Sequence, residues 1–146
     1  MNTNKPEHVL AAKAIRVVLK KAFPKTKFSV TSSSFSMGNS VDISWQDGPA
    51  QKDVDALVEK YQYGHFNGME DIYEYSNSRQ DIPQAKYVSV NRRMSEYVRD
   101  AKKLELVAKH GIENPDDQNE WQDKTGYWSD AAIWRELADE TIWSDA

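Results

Sequence analysis

A chain of 146 residues with 39% hydrophobic and 11% aromatic content is long enough to bury a core and too apolar to stay disordered. The absence of cysteine excludes disulfides, thiolate zinc sites, iron–sulfur clusters and cysteine nucleophiles. The net charge of −4 divides unevenly, since residues 1–111 hold 17 Lys/Arg against 13 Asp/Glu and residues 112–146 hold two against ten. In chain order, residues 6–23 read as a helix. Pro6 suits a first turn, and Leu10, Ala11, Ala14, Ile15, Val18 and Ala22 recur at three- and four-residue spacing before Pro24. Two half-buried strands follow, one around Phe28 and Val30 and one through Val41, Ile43 and Trp45, with "SMGN" expected to supply the reversal between them. The hairpin should show one apolar face and one face of Ser, Thr and Asp.

Asp47-Gly48-Pro49 ends that strand and begins a helix over about 50–62, with Val54, Leu57, Val58 and Tyr61 on one stripe. The stretch "YGHFNGMEDIYEYSNSRQDIP" reads as irregular, and "AKYVSVN" as a third strand. Ser95 is a cap for a helix running to about His110, closed by Gly111 and Asn114-Pro115. In the tail, Ser129 caps a helix from Asp130 to about Trp143, whose stripe Trp134-Leu137-Ala138-Thr141 should face the body. The expected class is α+β in the order α-β-β-α-β-α: a small, mainly antiparallel three-stranded sheet covered by helices, with a C-terminal helical acidic tail. Two units are expected, an α+β body over 1–111 and an acidic, tryptophan-rich extension over 112–146. The first residues lack the apolar core of a signal peptide, and cations interrupt the first helix, so a cytoplasmic location without membrane contact is expected.

Three groups of residues resemble one family. "KFSVTSSSFSMGNSVDISWQDGP", then "KYQYGHFNGMEDIYEY", then "AKYVSVNR" are similar to a small domain of the large polyvalent-protein-associated type, over about residues 8–95. The most specific features are the serine-rich hairpin, Trp45-x-Asp47-Gly48-Pro49 and Phe66-x-Gly68-Met69-x-Asp71. The resemblance implies a setting in phages or conjugative elements, with action on host defence or on incoming DNA. The acidic tail lies outside it.

No reaction is written in the residues. The chain has no Gly-x-Ser-x-Gly elbow, Walker lysine motif, dinucleotide glycine fingerprint or metalloprotease pair, and a non-enzymatic role without cofactor or metal is expected. His65, Glu70, Asp71 and Glu74 have metal-ligand chemistry but no ligand spacing, so they read as loop charges. The candidate partner contacts are the polar hairpin residues Ser32, Ser34, Ser36 and Asn39, the loop residues Phe66 and Asp71, and the tail residues Trp121 and Trp128. An acidic surface bearing tryptophans suits docking to a basic partner, including a host protein that itself binds nucleic acid. The alternative is direct nucleic-acid binding by an accessory domain, for which Lys86, Tyr87, Arg92 and Arg93 are the best residues, beside Lys60, Tyr61, Tyr63 and Arg79. The oligomeric state is left open.

Overall fold

A computed structural model describes residues 5–67, 69–70 and 72–142. Helix α1 (Glu7–Ala22) leads into a hairpin of β1 (Ser29–Phe35) and β2 (Gly38–Gln46). The reversal sits on Ser36-Met37, the first two residues of "SMGN", and Gly38-Asn39 already belong to β2. Gly38 follows at φ +154, where a Cβ would stand 2.6 Å from the Lys86 side chain. Next come α2 (Gln51–Val58), a single 3₁₀ turn (Glu59–Tyr61), and a second, two-stranded hairpin of β3 (His65–Asn67) and β4 (Ile72–Glu74) in the stretch read as irregular. Strand β5 (Tyr87–Arg93) and helices α3 (Glu96–His110), α4 (Gln118–Thr125) and α5 (Ser129–Leu137) complete the chain.

The main sheet has the order β1-β2-β5 and is mixed. β1 and β2 pair antiparallel, while β5 returns through α2 to lie parallel to β2, because a strand–helix–strand connection crosses over rather than reversing. Helices α1 and α2 cover one face. Ala11, Ile15 and Leu19 of α1 meet Val30, Val41, Ile43 and Trp45 of the sheet and Val54 and Val58 of α2. Each of the Val, Ile and Leu side chains among them contributes about 1.5–3 kcal/mol by leaving water.

A second core forms beyond β5. Leu106 of α3, Ile112, Trp121 of α4 and Ala132, Ile133 and Leu137 of α5 pack together, with Met94, Val98 and Ile142 at the margin. The acidic extension therefore folds against α3. Helix α3 is bounded as expected, by the Ser95 hydroxyl accepting from the Val98 N–H and by Gly111 at φ +64. Helix α5 differs from expectation. It ends at Leu137, its buried side is Ser129, Ala132, Ile133 and Leu137, and Trp134 is 43% exposed. Trp143, the expected end, lies outside the described residues. Among those residues no helix is long and apolar enough to cross a membrane.

The two cores meet at the Trp45-x-Asp47-Gly48-Pro49 motif. Asp47 (φ +57) and Gly48 (φ +64) both adopt the left-handed conformation, and the Trp45 indole N–H donates to the Pro49 carbonyl at 3.0 Å. The Asp47 carboxylate accepts from the Ser95 N–H at 2.8 Å, and the Gly48 carbonyl accepts from the Ile142 N–H at 2.7 Å. The motif is thus a structural junction that sets where α3 and the C-terminal segment attach.

Candidate macromolecule-binding surface

Strand residues alternate faces, so the face away from α1 carries Thr31, Ser33 and Phe35 from β1, Ser40, Asp42 and Ser44 from β2, and Tyr87, Ser89, Asn91 and Arg93 from β5. A hydroxyl–carboxylate ladder crosses its middle: Ser33 Oγ lies 2.9 Å from Ser40 Oγ, and Asp42 accepts from Ser89 Oγ at 2.6 Å. Ser32 and Ser34 belong to the other face. They share it with Val30, and Ser32 is half-buried opposite Val41. Two of the three candidate serines are therefore out of phase with the polar face, while Ser36 is exposed at the turn. Asn39 Oδ1 accepts from the Lys86 N–H at 2.9 Å and so ties β2 to the start of β5.

At the turn end of this face the chain gathers aromatic rings from four separate segments. Phe35 stacks on Tyr87 with ring centroids 6.4 Å apart, Tyr73 meets Tyr87 edge-on at 5.5 Å, and Tyr63 and Tyr75 stack at 5.4 Å and 7°. Tyr73 also meets both Tyr63 and Tyr75 edge-on, which makes the five rings contiguous. Phe35 is 47% exposed and Tyr75 65%; Met37 and Ile72 are exposed as well. The Lys86 ammonium lies 5.0 Å from the Tyr73 ring centroid and 5.7 Å from that of Tyr87, and it donates to the Met37 carbonyl at 2.8 Å. The Tyr73 hydroxyl donates to the Lys86 carbonyl at 2.5 Å. Burial, with the neighbouring Tyr63, Tyr87 and Tyr75 phenols adding to it, pushes the Tyr73 pKa up to about 12, so Tyr73 stays a donor well into the alkaline range.

The β3–β4 hairpin supplies two of these rings and is held by its own contacts. His65 Nδ1 lies 2.8 Å from Ser76 Oγ, and His65 Nε2 lies 3.2 Å from Glu74 Oε2. Hydroxyl, imidazole and carboxylate in line resemble an activated serine. However, His65 and Ser76 are exposed, without the water-excluding surroundings that acyl transfer requires, and the trio braces the hairpin. Phe66 sits on β3 opposite Tyr73. Asp71 lies outside the described residues.

The alternative set of cations and aromatics divides. Tyr87 and Lys86 belong to the aromatic cluster, and Arg93 is exposed at the end of the same face. Arg92 is a correction: only 3% exposed, it points to the helix side and donates to four backbone carbonyls, so it is closed to a phosphate. Arg79 is paired with Asp81, Lys60 lies over Tyr61, and Tyr61 is buried. In the extension, Trp121 is 0% exposed, with its indole N–H on the Pro115 carbonyl, which corrects its reading as a surface anchor. Trp128 is 63% exposed and remains available, its indole N–H on Gln122.

Residues 7–100 match the model of a protein family described as Large polyvalent protein associated domain 29. The chain belongs to that family. The match covers α1, both hairpins and β5, so the aromatic face of this polyvalent-protein-associated domain lies inside the matched region, whereas most of the second core lies beyond it. No curated protein and no solved structure matches the chain.

Sequence reading missed Phe35, Tyr73 and Tyr75 as members of one surface. It also missed a cationic run: residues 8–41 hold Lys13, Arg16, Lys20, Lys21, Lys25 and Lys27 and no acid at all. A windowed charge count finds it at once.

Proposed function

We propose that the protein is a non-enzymatic binding module of a phage or mobile element that engages a host macromolecule, most simply a host protein, and so inhibits or modulates a host defence system. The observation that carries this reading is the five-ring cluster of Phe35, Tyr63, Tyr73, Tyr75 and Tyr87 around Lys86, with two rings about half exposed or more. Contiguous exposed aromatics rimmed by polar groups mark interaction sites, and tyrosine contributes large contact area at low entropic cost. Family membership supports the mobile-element setting. The exposed Trp128 beside the Tyr127–Arg135 cation–π pair is a second, smaller contact candidate.

The test is affinity capture of the tagged full chain from host lysate, with and without nuclease, beside a Phe35→Ser/Tyr75→Ser variant. The expected result is a stoichiometric protein that survives nuclease and is lost from the variant. Equal recovery on the variant would sink the assignment to this face. Recovery of nucleic acid alone would transfer the face to a second reading, a nucleic-acid-binding accessory domain. That reading is favoured by one specific observation, the acid-free cationic run over residues 8–41 that leads into β1.

A further inference from the structure

Of the two edges of the main sheet, one is defended and one is bare. β5 carries the exposed Arg93, and its Val88 N–H already donates to Gln62 Oε1 at 2.7 Å. β1 holds no charge, proline or glycine, and its pairing with β2 runs from Ser29↔Ser44 to Phe35↔Gly38 without a bulge. An edge of that kind is a template for another strand, which proteins ordinarily prevent with charge, proline or a bulge. The two-residue turn fixes which groups the edge offers. Phe35 and Gly38 close it as a hydrogen-bonded pair, so Thr31, Ser33 and Phe35 direct both backbone groups to β2, while Val30, Ser32 and Ser34 turn theirs outward. Arg16 agrees with this phase, since its Nη2 donates to the Val30 carbonyl at 2.6 Å. Among the described residues, no protein group bonds the outward N–H and C=O groups of Ser32 and Ser34.

The Val30 end of this edge opens onto a cleft of about 400 Å³ lined by Arg16, Lys20, Lys25 and Lys27 beside Phe28 and Val30, and no acid lines it among the described residues. Lys20, Lys25 and Lys27 are exposed, and none takes part in an ion pair among the described residues. Cations at a helix C-terminus satisfy its dipole, but Lys25 and Lys27 sit on the loop beyond α1. Val30, Ser32 and Ser34 face the α1 side, and the residues set opposite them on an added strand face the same way. An acidic residue opposite Val30, or just beyond it, therefore enters the cleft. We infer that the outer edge of β1 takes an extended segment of a partner protein as a fourth strand, with acidic residues of that segment held in the Arg16/Lys20/Lys25/Lys27 cleft. Antiparallel addition, the more stable pairing per residue, puts those acids at the C-terminal end of the segment. A second copy of β1 would match the edge but brings no acid to the cleft. A nucleic acid would match the cations but has no peptide groups for Ser32 and Ser34. The inference rests on the protein-binding reading above, and it adds the mode of binding and the chemistry of the bound segment.

The experiment selects random peptides of about twelve residues, displayed on phage, against the tagged full chain. An enriched peptide is then titrated into the native chain, a Ser34→Pro variant and a Lys20→Gln/Lys25→Gln/Lys27→Gln variant, each checked by thermal melting. Ser34→Pro removes an outward N–H and leaves the β2 ladder intact, as proline on an edge strand can. Residue-resolved amide exchange is read with and without the peptide. The expected result is a set of peptides that end in acids and bind either variant about tenfold more weakly. The Ser32 and Ser34 amides should exchange fast in the free chain and slowly in the complex, while those of Thr31 and Ser33, already in the ladder, barely change. Peptides without acids, full affinity in either variant, or Ser32 and Ser34 amides that stay fast overturn the inference. So does a failure to enrich any peptide, or a dimer in which those amides are slow before peptide is added. Oligonucleotides that bind through the three lysines in place of the peptides overturn it as well. A host protein captured equally by the native chain and both variants overturns the inference while the protein-binding reading stands, whereas capture of no protein ends that reading itself.

Discussion

Arg92 Nε donates to the carbonyl of Asp47 at 2.9 Å, across the line where the sheet meets the C-terminal helices. The same guanidinium reaches the Gly48 carbonyl at 2.8 Å, Glu140 at 2.6 Å and Leu137 at 3.2 Å. Burial pulls the Arg92 pKa down, and the nearby Asp47, Glu140 and Asp53 charges oppose that shift. The buried cation is tolerated there because four carbonyl acceptors replace its water and nearby carboxylates offset its charge. Replacing Arg92 by Met strands those acceptors in a closed site and should lower stability by about 3 kcal/mol in urea denaturation. Arg93→Met, one residue on and exposed, should change stability by less than about 0.5 kcal/mol. Equal effects would show that the junction does not depend on the buried guanidinium.

Gly48 and Gly111 share φ +64 but not their surroundings. A Cβ at Gly48 would stand 2.9 Å from both Thr26 Cγ2 and Thr26 Oγ1, whereas a Cβ at Gly111 meets nothing within 4 Å. Gly111→Ala should therefore cost about 1 kcal/mol, the backbone penalty alone. Gly48→Ala should cost the same amount plus the displacement of Thr26, for a total of about 2–3 kcal/mol. Thermal melts of the two variants measure the difference, and equal shifts would mean that the Thr26 contact yields without cost.

What was legible in the sequence was whatever local chemistry decides. Ala11 and Ile15 of the α1 stripe, the Ser95 and Gly111 caps of α3 and the alternation of Val41, Ile43 and Trp45 all act within a few residues, although the buried side of α1 also takes in Ala12 and Leu19 and leaves the expected Ala22 exposed. Helix α4 has one buried apolar residue, Trp121, and so offers no stripe; only its boundaries, Asp117 accepting from the Asn119 and Glu120 N–H groups and Gly126 at φ +86, advertise it. Strands of three residues, as in β3 and β4, are stabilised by each other and by the rings they carry, not by their own pattern. Arg92 and Trp121 are residue types that serve equally on surfaces and in cores, and burial is a property of the fold. Choosing Ser32 and Ser34 by polarity overrode the period of two, which already placed them with Val30. The aromatic face joins Phe35 to Tyr87 across 52 positions, a distance over which no sequence pattern operates.

The two tryptophans of the extension should separate cleanly. Trp121 is fully buried at the centre of the second core, so Trp121→Ala leaves a cavity and should cost about 3–5 kcal/mol. Trp128→Ala removes an exposed ring and one side-chain hydrogen bond to Gln122, and should cost under about 1 kcal/mol. Denaturant unfolding followed by circular dichroism compares them. A large loss at Trp128 would show that its ring supports the fold, and would withdraw it as a contact candidate.

Glu120 is a carboxylate at the edge of the second core whose protonation should weaken that core in acid. Its carboxylate accepts from the Lys124 ammonium at 2.7 Å and from the Glu113 and Asn114 N–H groups at 2.6 and 2.8 Å. These three donors favour the charged form, the lysine most, and hold the pKa at about 2 against an ordinary 4.5. A carboxylate whose pKa is depressed in the folded state binds its proton more readily when unfolded. Its stabilising contribution is therefore complete above about pH 4.5 and is lost as the pH falls toward 2. In Glu120→Gln the amide cannot titrate, so the variant should be less stable than the native chain at neutral pH and should lose less stability between pH 4.5 and pH 2. Urea unfolding of both proteins at pH 7, 4.5, 3 and 2 measures this. Parallel curves would place the acid sensitivity in other carboxylates.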